Sequence, residues 1–179
     1  MTEPPNELVL DTGPLSNLAK AGWLGVLRAV AGDSTVVVPD VVESELRNGV
    51  QAYPFLQSVL DAEWILRRRL ESPAEIAAYA RFAARMVVGG RNIGETGVLA
   101  YASVHGVTAV IDDRVARKVA VEERVELRGT LGLLCEGIRS GLLTVALVSE
   151  LADHLLENEY HLPFKSGGFE EWAAKNDMA

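Results

Sequence analysis

Four short acidic segments stand where a chain of alternating strands and helices would present their carboxylates. They are Leu8-Val9-Leu10-Asp11-Thr12, Val42-Glu43-Ser44-Glu45-Leu46, Gly94-Glu95-Thr96-Gly97 and Val110-Ile111-Asp112-Asp113-Arg114. A carboxylate directly after an apolar β-like run stands at a strand end, with buried neighbours and its oxygens turned out of the sheet. If the four segments converge, they make an oxygen-lined site for a hard divalent cation. The chemistry such a site supports is metal-assisted hydrolysis of a phosphodiester.

Each acid also has an ordinary structural reading. Asp11 precedes Thr12-Gly13-Pro14 and suits a turn or the N-cap of the next helix. Thr12 could add a hydroxyl to bound water or phosphate. Glu43 stands three residues after Asp40, the spacing of a capping box, whereas Glu45 has no such task and is the better site candidate. Glu95 shares a helical face with Val98, Leu99 and Ala102 and is either a ligand or the capping partner of Asn92. Of the Asp112-Asp113 pair, one can cap the following helix while the other faces a cation. Asp112 is the first choice and Asp113 the alternative. Adjacent carboxylates repel unless a cation lies between them.

The elements that must position these acids are legible in the apolar pattern. Glu7 to Leu10 reads as a strand, and Pro14 suits the first turn of a helix carrying Leu15, Leu18 and Ala19. Thr35-Val36-Val37-Val38 is a continuous β-branched run, as in a buried parallel strand, ended by Pro39. Asp40 is the expected cap of a helix through Val41, Val42 and Leu46. Trp64 to Leu66 is a weak strand. Ser72-Pro73-Ala74-Glu75 is a strong helix start, and that helix runs to about Met86 before Gly89-Gly90. A helix from Gly94 to His105, a strand from Val107 to Ile111 and a helix through Val115, Val119 and Ala120 follow. Val125 to Leu127 and Leu142 to Val145 read as short β-like runs. Thr130 and Ser149 are the expected caps of the last two clear helices.

This alternation implies an α/β fold, a three-layer α/β/α sandwich with a mainly parallel central sheet. In such sheets ligands bind at the carboxyl ends of the strands, where Asp11 and Asp112 fall. The expected division is one domain over residues 7–145, followed by a helical extension over 146–179 that packs on it or on a partner.

Composition narrows the classes. Hydrophobic residues make up 49% of the 179 residues and charged residues 23%, which supports a sizeable core and argues against disorder. Cys135 is the single cysteine, so neither an intrachain disulfide nor a cysteine zinc cluster can form, and it reads as a buried small hydrophobe. None of His105, His154 and His161 has metal-ligand spacing, and dinucleotide, P-loop and serine-hydrolase motifs are absent. Met1-Thr2-Glu3-Pro4-Pro5 does not resemble a secretion signal, and no apolar run approaches the roughly 20 residues of a membrane helix, so a cytoplasmic protein is expected.

The net charge of −8 argues against a general nucleic-acid coat protein. The charge is uneven, however: residues 67–139 hold 12 Lys/Arg against 9 Asp/Glu. Arg67, Arg68, Arg69, Arg81, Arg85 and Arg91 either line a phosphate-tracking groove or cover a solvated helix face.

In their order and spacing these segments resemble a PIN domain, over roughly residues 7–145. The resemblance rests on Leu10-Asp11-Thr12, on Val41 through Gly49, on Gly94-Glu95 leading into Leu99-Ala100-Tyr101-Ala102, and on Ala109 through Arg114. Asp11-Thr12-Gly13-Pro14-Leu15 and Asp112-Asp113-Arg114-Val115-Ala116-Arg117 match a prokaryotic PIN-like group related to the VapC-type toxin ribonucleases. The resemblance implies a Mg²⁺- or Mn²⁺-dependent ribonuclease with its acids on Asp11, Glu45, Glu95 and Asp112 or Asp113. Of these, Asp11, Glu95 and Asp112 are the expected metal ligands. Glutamate at position 95 departs from the aspartate common in the toxins. RNA as substrate, an antitoxin protein as partner and a homodimer are further expectations of the resemblance.

The leading reading is thus a metal-dependent endoribonuclease. A PIN fold used as a non-catalytic interaction module is the alternative, its acidic ends pairing with a basic partner. A phosphatase of the haloacid-dehalogenase type would need a second aspartate two residues after Asp11, where Gly13 stands.

Overall fold

The computed structural model describes residues 6–176. The chain begins with β1 (Glu7–Leu10), α1 (Thr12–Lys20), α2 (Leu24–Ala31), β2 (Thr35–Pro39) and α3 (Asp40–Gly49). A 3₁₀ turn at Pro54–Leu56 leads to α4 (Gln57–Leu60), β3 (Ile65–Arg68), α5 (Pro73–Met86) and α6 (Ile93–His105). β4 (Thr108–Val110), α7 (Arg114–Glu122), β5 (Leu127–Arg128), α8 (Thr130–Arg139), α9 (Val145–Glu157) and α10 (Phe169–Lys175) complete it.

The five strands form one all-parallel sheet in the order β3-β2-β1-β4-β5. Helices cover both faces, giving the three-layer α/β/α architecture. Such a sheet is apolar on both sides, which explains why Val36, Val37 and Val38 are consecutive and all buried. Val9 and Leu10 of β1 and Ala109 and Val110 of β4 have no exposed surface and form the centre. One continuous core also takes in Val148, Leu151, Ala152 and Leu155 of α9 and Phe169 and Ala173 of α10. Residues beyond position 145 therefore bury their apolar faces in the same core as the strands. Among the described residues, no helix is long and apolar enough to cross a membrane.

Several local expectations are corrected. Pro39 ends β2 as expected, but it also occupies the N-cap position of α3, so the strand runs straight into the helix. Asp40 is then already in the first turn. Its Oδ1 accepts from the Val41 N–H at 3.1 Å and the Leu70 N–H at 3.4 Å. Glu43 consequently caps nothing and pairs with Arg47 at 2.6 Å and Arg67 at 3.4 Å. The Val125 strand lies two residues later, at Leu127–Arg128. The run Leu142 to Val145 is no strand: Thr144, not Ser149, caps α9 by accepting from the Leu147 N–H. Ser72 and Glu75 do form the reciprocal capping box that the sequence pattern predicts.

Candidate active site

β1 and β4 are neighbours in register, Leu10 beside Val110, and the Asp11 N–H donates to the Val110 carbonyl at 3.1 Å. Adjacent parallel strands therefore bring the first and fourth acidic segments to the same edge of the sheet. The second arrives on α3, which follows β2 directly, and the third on the first turn of α6.

Asp11 is the centre of this arrangement. Only 4% of its surface is exposed. It is the N-cap of α1, where its Oδ2 accepts from the Gly13 N–H at 3.2 Å. The capping role occupies one oxygen only. Asp11 Oδ1 is fully buried and has no hydrogen-bond partner among the described residues. A buried carboxylate oxygen without a donor is costly and calls for a proton or a cation.

Glu45, rather than Glu43, faces this oxygen. Its Oε2 accepts from the Thr12 hydroxyl at 2.6 Å and its Oε1 from the Gly94 N–H at 3.0 Å. These bonds tie α3 to the first turns of α1 and α6 and fix the side chain. Gly94 makes the convergence possible. A Cβ there would lie 2.6 Å from Glu45 Oε2 and 2.9 Å from Asp11 Oδ1, so both oxygens crowd the space that a side chain would fill. Gly97, three residues on, lets α6 approach α3, since a Cβ there would meet Val41 Cγ2 at 2.2 Å. Sequence reasoning named the Gly94-Glu95-Thr96-Gly97 segment for its glutamate and missed the spacing of its glycines, which is what brings α6 close.

Glu95 is half-buried at the start of α6. Asn92 does not cap it: the Asn92 backbone is left-handed, with φ 63°, and its side chain donates to the Met86 carbonyl at 3.0 Å instead. The Glu95 carboxylate is thus free of the capping-box task. Its pKa is raised first by burial, then by the charges of Glu45 and Asp113. Asp11 is pushed from its ordinary 3.8 to about 8, by burial above all and by Glu95 and Glu45 as well, against the lowering effect of the Gly13 and Thr12 N–H groups. The three carboxylates of Asp11, Glu45 and Glu95 thus act on one another electrostatically, each negative charge disfavouring the next.

The Asp112-Asp113 pair serves two helix starts. Asp112, the expected metal ligand, accepts hydrogen bonds at both oxygens, as Glu45 does. Oδ1 accepts from the Thr130 N–H at 2.9 Å and Oδ2 from the Thr130 hydroxyl at 2.6 Å. Thr130 is therefore not the cap of α8; Gly129 occupies the N-cap position, and Asp112 supplies the capping oxygen from the end of β4. Asp113 caps α7 through a 2.9 Å bond from the Ala116 N–H to Oδ1, yet it is the one whose charge reaches Glu95. Among the described residues, no three acidic, histidine or cysteine side chains stand close enough to hold a metal by themselves. Asp11 and Glu45 do bring two hard carboxylates to one orphaned buried oxygen, a donor set that fits a divalent cation whose remaining positions are filled by water.

The arginines singled out by charge are partly spent on structure. Arg67 pairs with Glu43 and donates to the carbonyls of Leu60 and Ile65. Arg81 pairs with Glu123 at 3.8 Å, and Arg85 reaches both Glu122 and Glu123, joining α5 to α7. Of the six, Arg67, Arg81 and Arg85 are thus engaged with acids and carbonyls of the scaffold. His105 is bound to Glu75 at 2.9 Å, and His154 accepts from the Trp23 indole N–H at 2.9 Å, so both belong to the scaffold.

An all-parallel α/β/α sandwich with acids gathered at the carboxyl ends of its central strands defines the class of a PIN-type domain. Residues 7–166 match the family model DUF3368, described as a PIN domain, and the chain belongs to that family. No curated protein matches the chain. PIN domains are typically nucleases and generally work with divalent metal ions.

Proposed function

We propose that this protein is a divalent-metal-dependent endoribonuclease that hydrolyses RNA at the Asp11–Glu45 pocket. The observation that carries the reading is Asp11 Oδ1, buried and without a donor among the described residues, beside a Glu45 carboxylate held in place by Thr12 and Gly94. Asp11 and Glu45 would hold Mg²⁺ or Mn²⁺, with Glu95 and Asp113 completing the acidic rim. When bound, the cation supplies Lewis acidity toward the scissile phosphate and lowers the pKa of water.

The chain's own residues set the rest. The Thr12 hydroxyl and the Gly94 N–H fix the Glu45 rotamer, so that its oxygens need no reorganisation on binding. Glu95 is half-buried at the start of α6, its pKa raised by burial and by the charges of Glu45 and Asp113, and would serve as the base toward an attacking water. The resemblance to VapC-type toxins supports, within the same proposal, a homodimer and an antitoxin partner.

The test is cleavage of a labelled single-stranded RNA with and without Mn²⁺. Cleavage that requires metal and vanishes in Asp11→Asn is expected. Absence of metal-dependent cleavage by the wild-type protein across varied RNAs would leave the PIN fold here as a non-catalytic interaction module.

A further inference from the structure

A second recess adjoins the acidic pocket, on the far side of Asp112. It is an open cleft of about 860 Å³ between the starts of α1, α7 and α8 and the segment that leads into α10. Its lining combines Arg114 and Arg117 with the carboxylates of Asp112 and Glu159 and with the apolar surfaces of Leu131, Pro163 and Trp172.

The two arginines are held differently. Arg117 is half-buried and donates to the Ile111 carbonyl at 2.9 Å, which aims its guanidinium along the end of β4. Gly129 leaves the space for it: a Cβ there would lie 2.8 Å from Arg117 Nη1 and 3.2 Å from Asp112 Oδ1. Arg114 is exposed and has no hydrogen-bond or ion-pair partner among the described residues. It is the first residue of α7, directly after the capping Asp113.

The aromatic part of the lining is fixed by packing. The Trp172 ring centroid lies 5.4 Å from that of Phe164 and 6.2 Å from that of Phe169. The Tyr160 hydroxyl faces Asp112 and Thr130, and burial together with the Asp112 charge drives its pKa up, so it stays neutral. Asp112 is thereby occupied by Thr130 and Tyr160.

We propose that this cleft takes a nucleotide of the single-stranded RNA substrate next to the scissile bond, its phosphate on Arg114 and Arg117 and its base against Trp172. The assignment rests on the ribonuclease reading of the acidic pocket. Guanidinium groups and an aromatic ring lining one cleft suit a phosphate and a base carried on one strand, and an open cleft lets the strand continue. Trp172 lies outside the residues matched by the family model, whereas Leu131 and Pro163 lie within them.

The test is binding in EDTA, which separates it from cleavage. A fluorescein-labelled single-stranded RNA of about six nucleotides is titrated into the wild-type protein, Arg114→Ala, Trp172→Phe and Asp11→Asn, with anisotropy and tryptophan emission as readouts. Wild type is expected to bind with quenched emission. Arg114→Ala should weaken binding about fivefold or more and lower its salt dependence by about one phosphate contact. Trp172→Phe, which keeps an aromatic ring in the Phe164–Phe169 cluster, should remove the quench. Asp11→Asn should bind as wild type does while failing to cleave.

Wild-type affinity in Arg114→Ala, an unchanged quench in Trp172→Phe, or no RNA binding in EDTA would overturn the proposal, whatever the cleavage assay shows. Equal affinity for a free mononucleotide would overturn the assignment to a substrate strand. Binding as described without metal-dependent cleavage would instead sink the ribonuclease reading and leave the cleft as an RNA site.

Discussion

Replacing Asp11 by asparagine should stabilise the metal-free protein, and by an amount that grows with pH. Asn keeps an oxygen for the Gly13 N–H and removes the ionisable group. The wild-type carboxyl is held at about 8 in the folded chain against its ordinary 3.8. Between these values the folded state retains a proton that the unfolded state has released. Wild-type stability therefore falls as pH rises through that window, and the contribution is fully present only below about 4. The slope for one such group is about 1.4 kcal/mol per pH unit, so from pH 5 to pH 7 the advantage of Asp11→Asn should widen by roughly 2–3 kcal/mol. Urea denaturation of both proteins in EDTA at the two pH values measures it. Parallel pH dependence in the two proteins would refute the reasoning, because the carboxylate would then be ionised without penalty. Millimolar Mn²⁺ should restore wild-type stability at neutral pH and leave the Asn variant unmoved, since a cation replaces the proton.

Three further expectations follow from single contacts. Gly94→Ala drives a methyl group between Asp11 Oδ1 and Glu45 Oε2 and should cost about 1–3 kcal/mol in urea denaturation while abolishing Mn²⁺ binding by calorimetry. Asp112→Ala removes the oxygens that hold Thr130; it should lower stability by about 1–2 kcal/mol yet leave Mn²⁺ affinity within about twofold, whereas Asp113→Asn should weaken that affinity. Burial would raise the pKa of Glu75, but the bonds from His105 and Ser72 and the Glu71 N–H overcome it and hold the carboxyl at about 2. The stability it contributes is present above its ordinary 4.5 and lost as pH falls toward 2, so the penalty of Glu75→Gln, measured by thermal melts, should shrink steadily below about pH 4.5.

The layered fold was legible because its signals are local and redundant. Val36-Val37-Val38 could only be a strand buried on both faces, and Ser72-Pro73-Ala74-Glu75 carries three helix-start signals at once. Failures fell where one local pattern has two tertiary outcomes. Asp40 and Glu43 have capping-box spacing, yet β2 runs into α3 without a turn, which shifts the frame by one residue and frees Glu43 for Arg47. Thr130 looks like a cap, but the capping oxygen comes from Asp112, 18 residues earlier, a pairing set by the β4–β5 register. The same contact bears on the ranking of Asp112 over Asp113: both follow β4, and it is the position of α8 that ties both Asp112 oxygens to Thr130. Glu45 was preferred to Glu43 on the premise of a capping box that does not form; the bonds from Thr12 and Gly94 are what distinguish Glu45 in the fold. The clustering of arginines did not reveal that Arg81 and Arg85 face Glu122 and Glu123, since net charge does not report pairing.

The central claim is that the buried Asp11–Glu45 pair is a cation site. Soaking crystals of the protein in Mn²⁺ and computing an anomalous difference map tests it most directly. A peak within about 2.5 Å of Asp11 Oδ1 and of a Glu45 oxygen, with its remaining ligands water, is the result the account predicts. A pocket with no peak at millimolar Mn²⁺, with Asp11 protonated and bonded to Glu45, would contradict it.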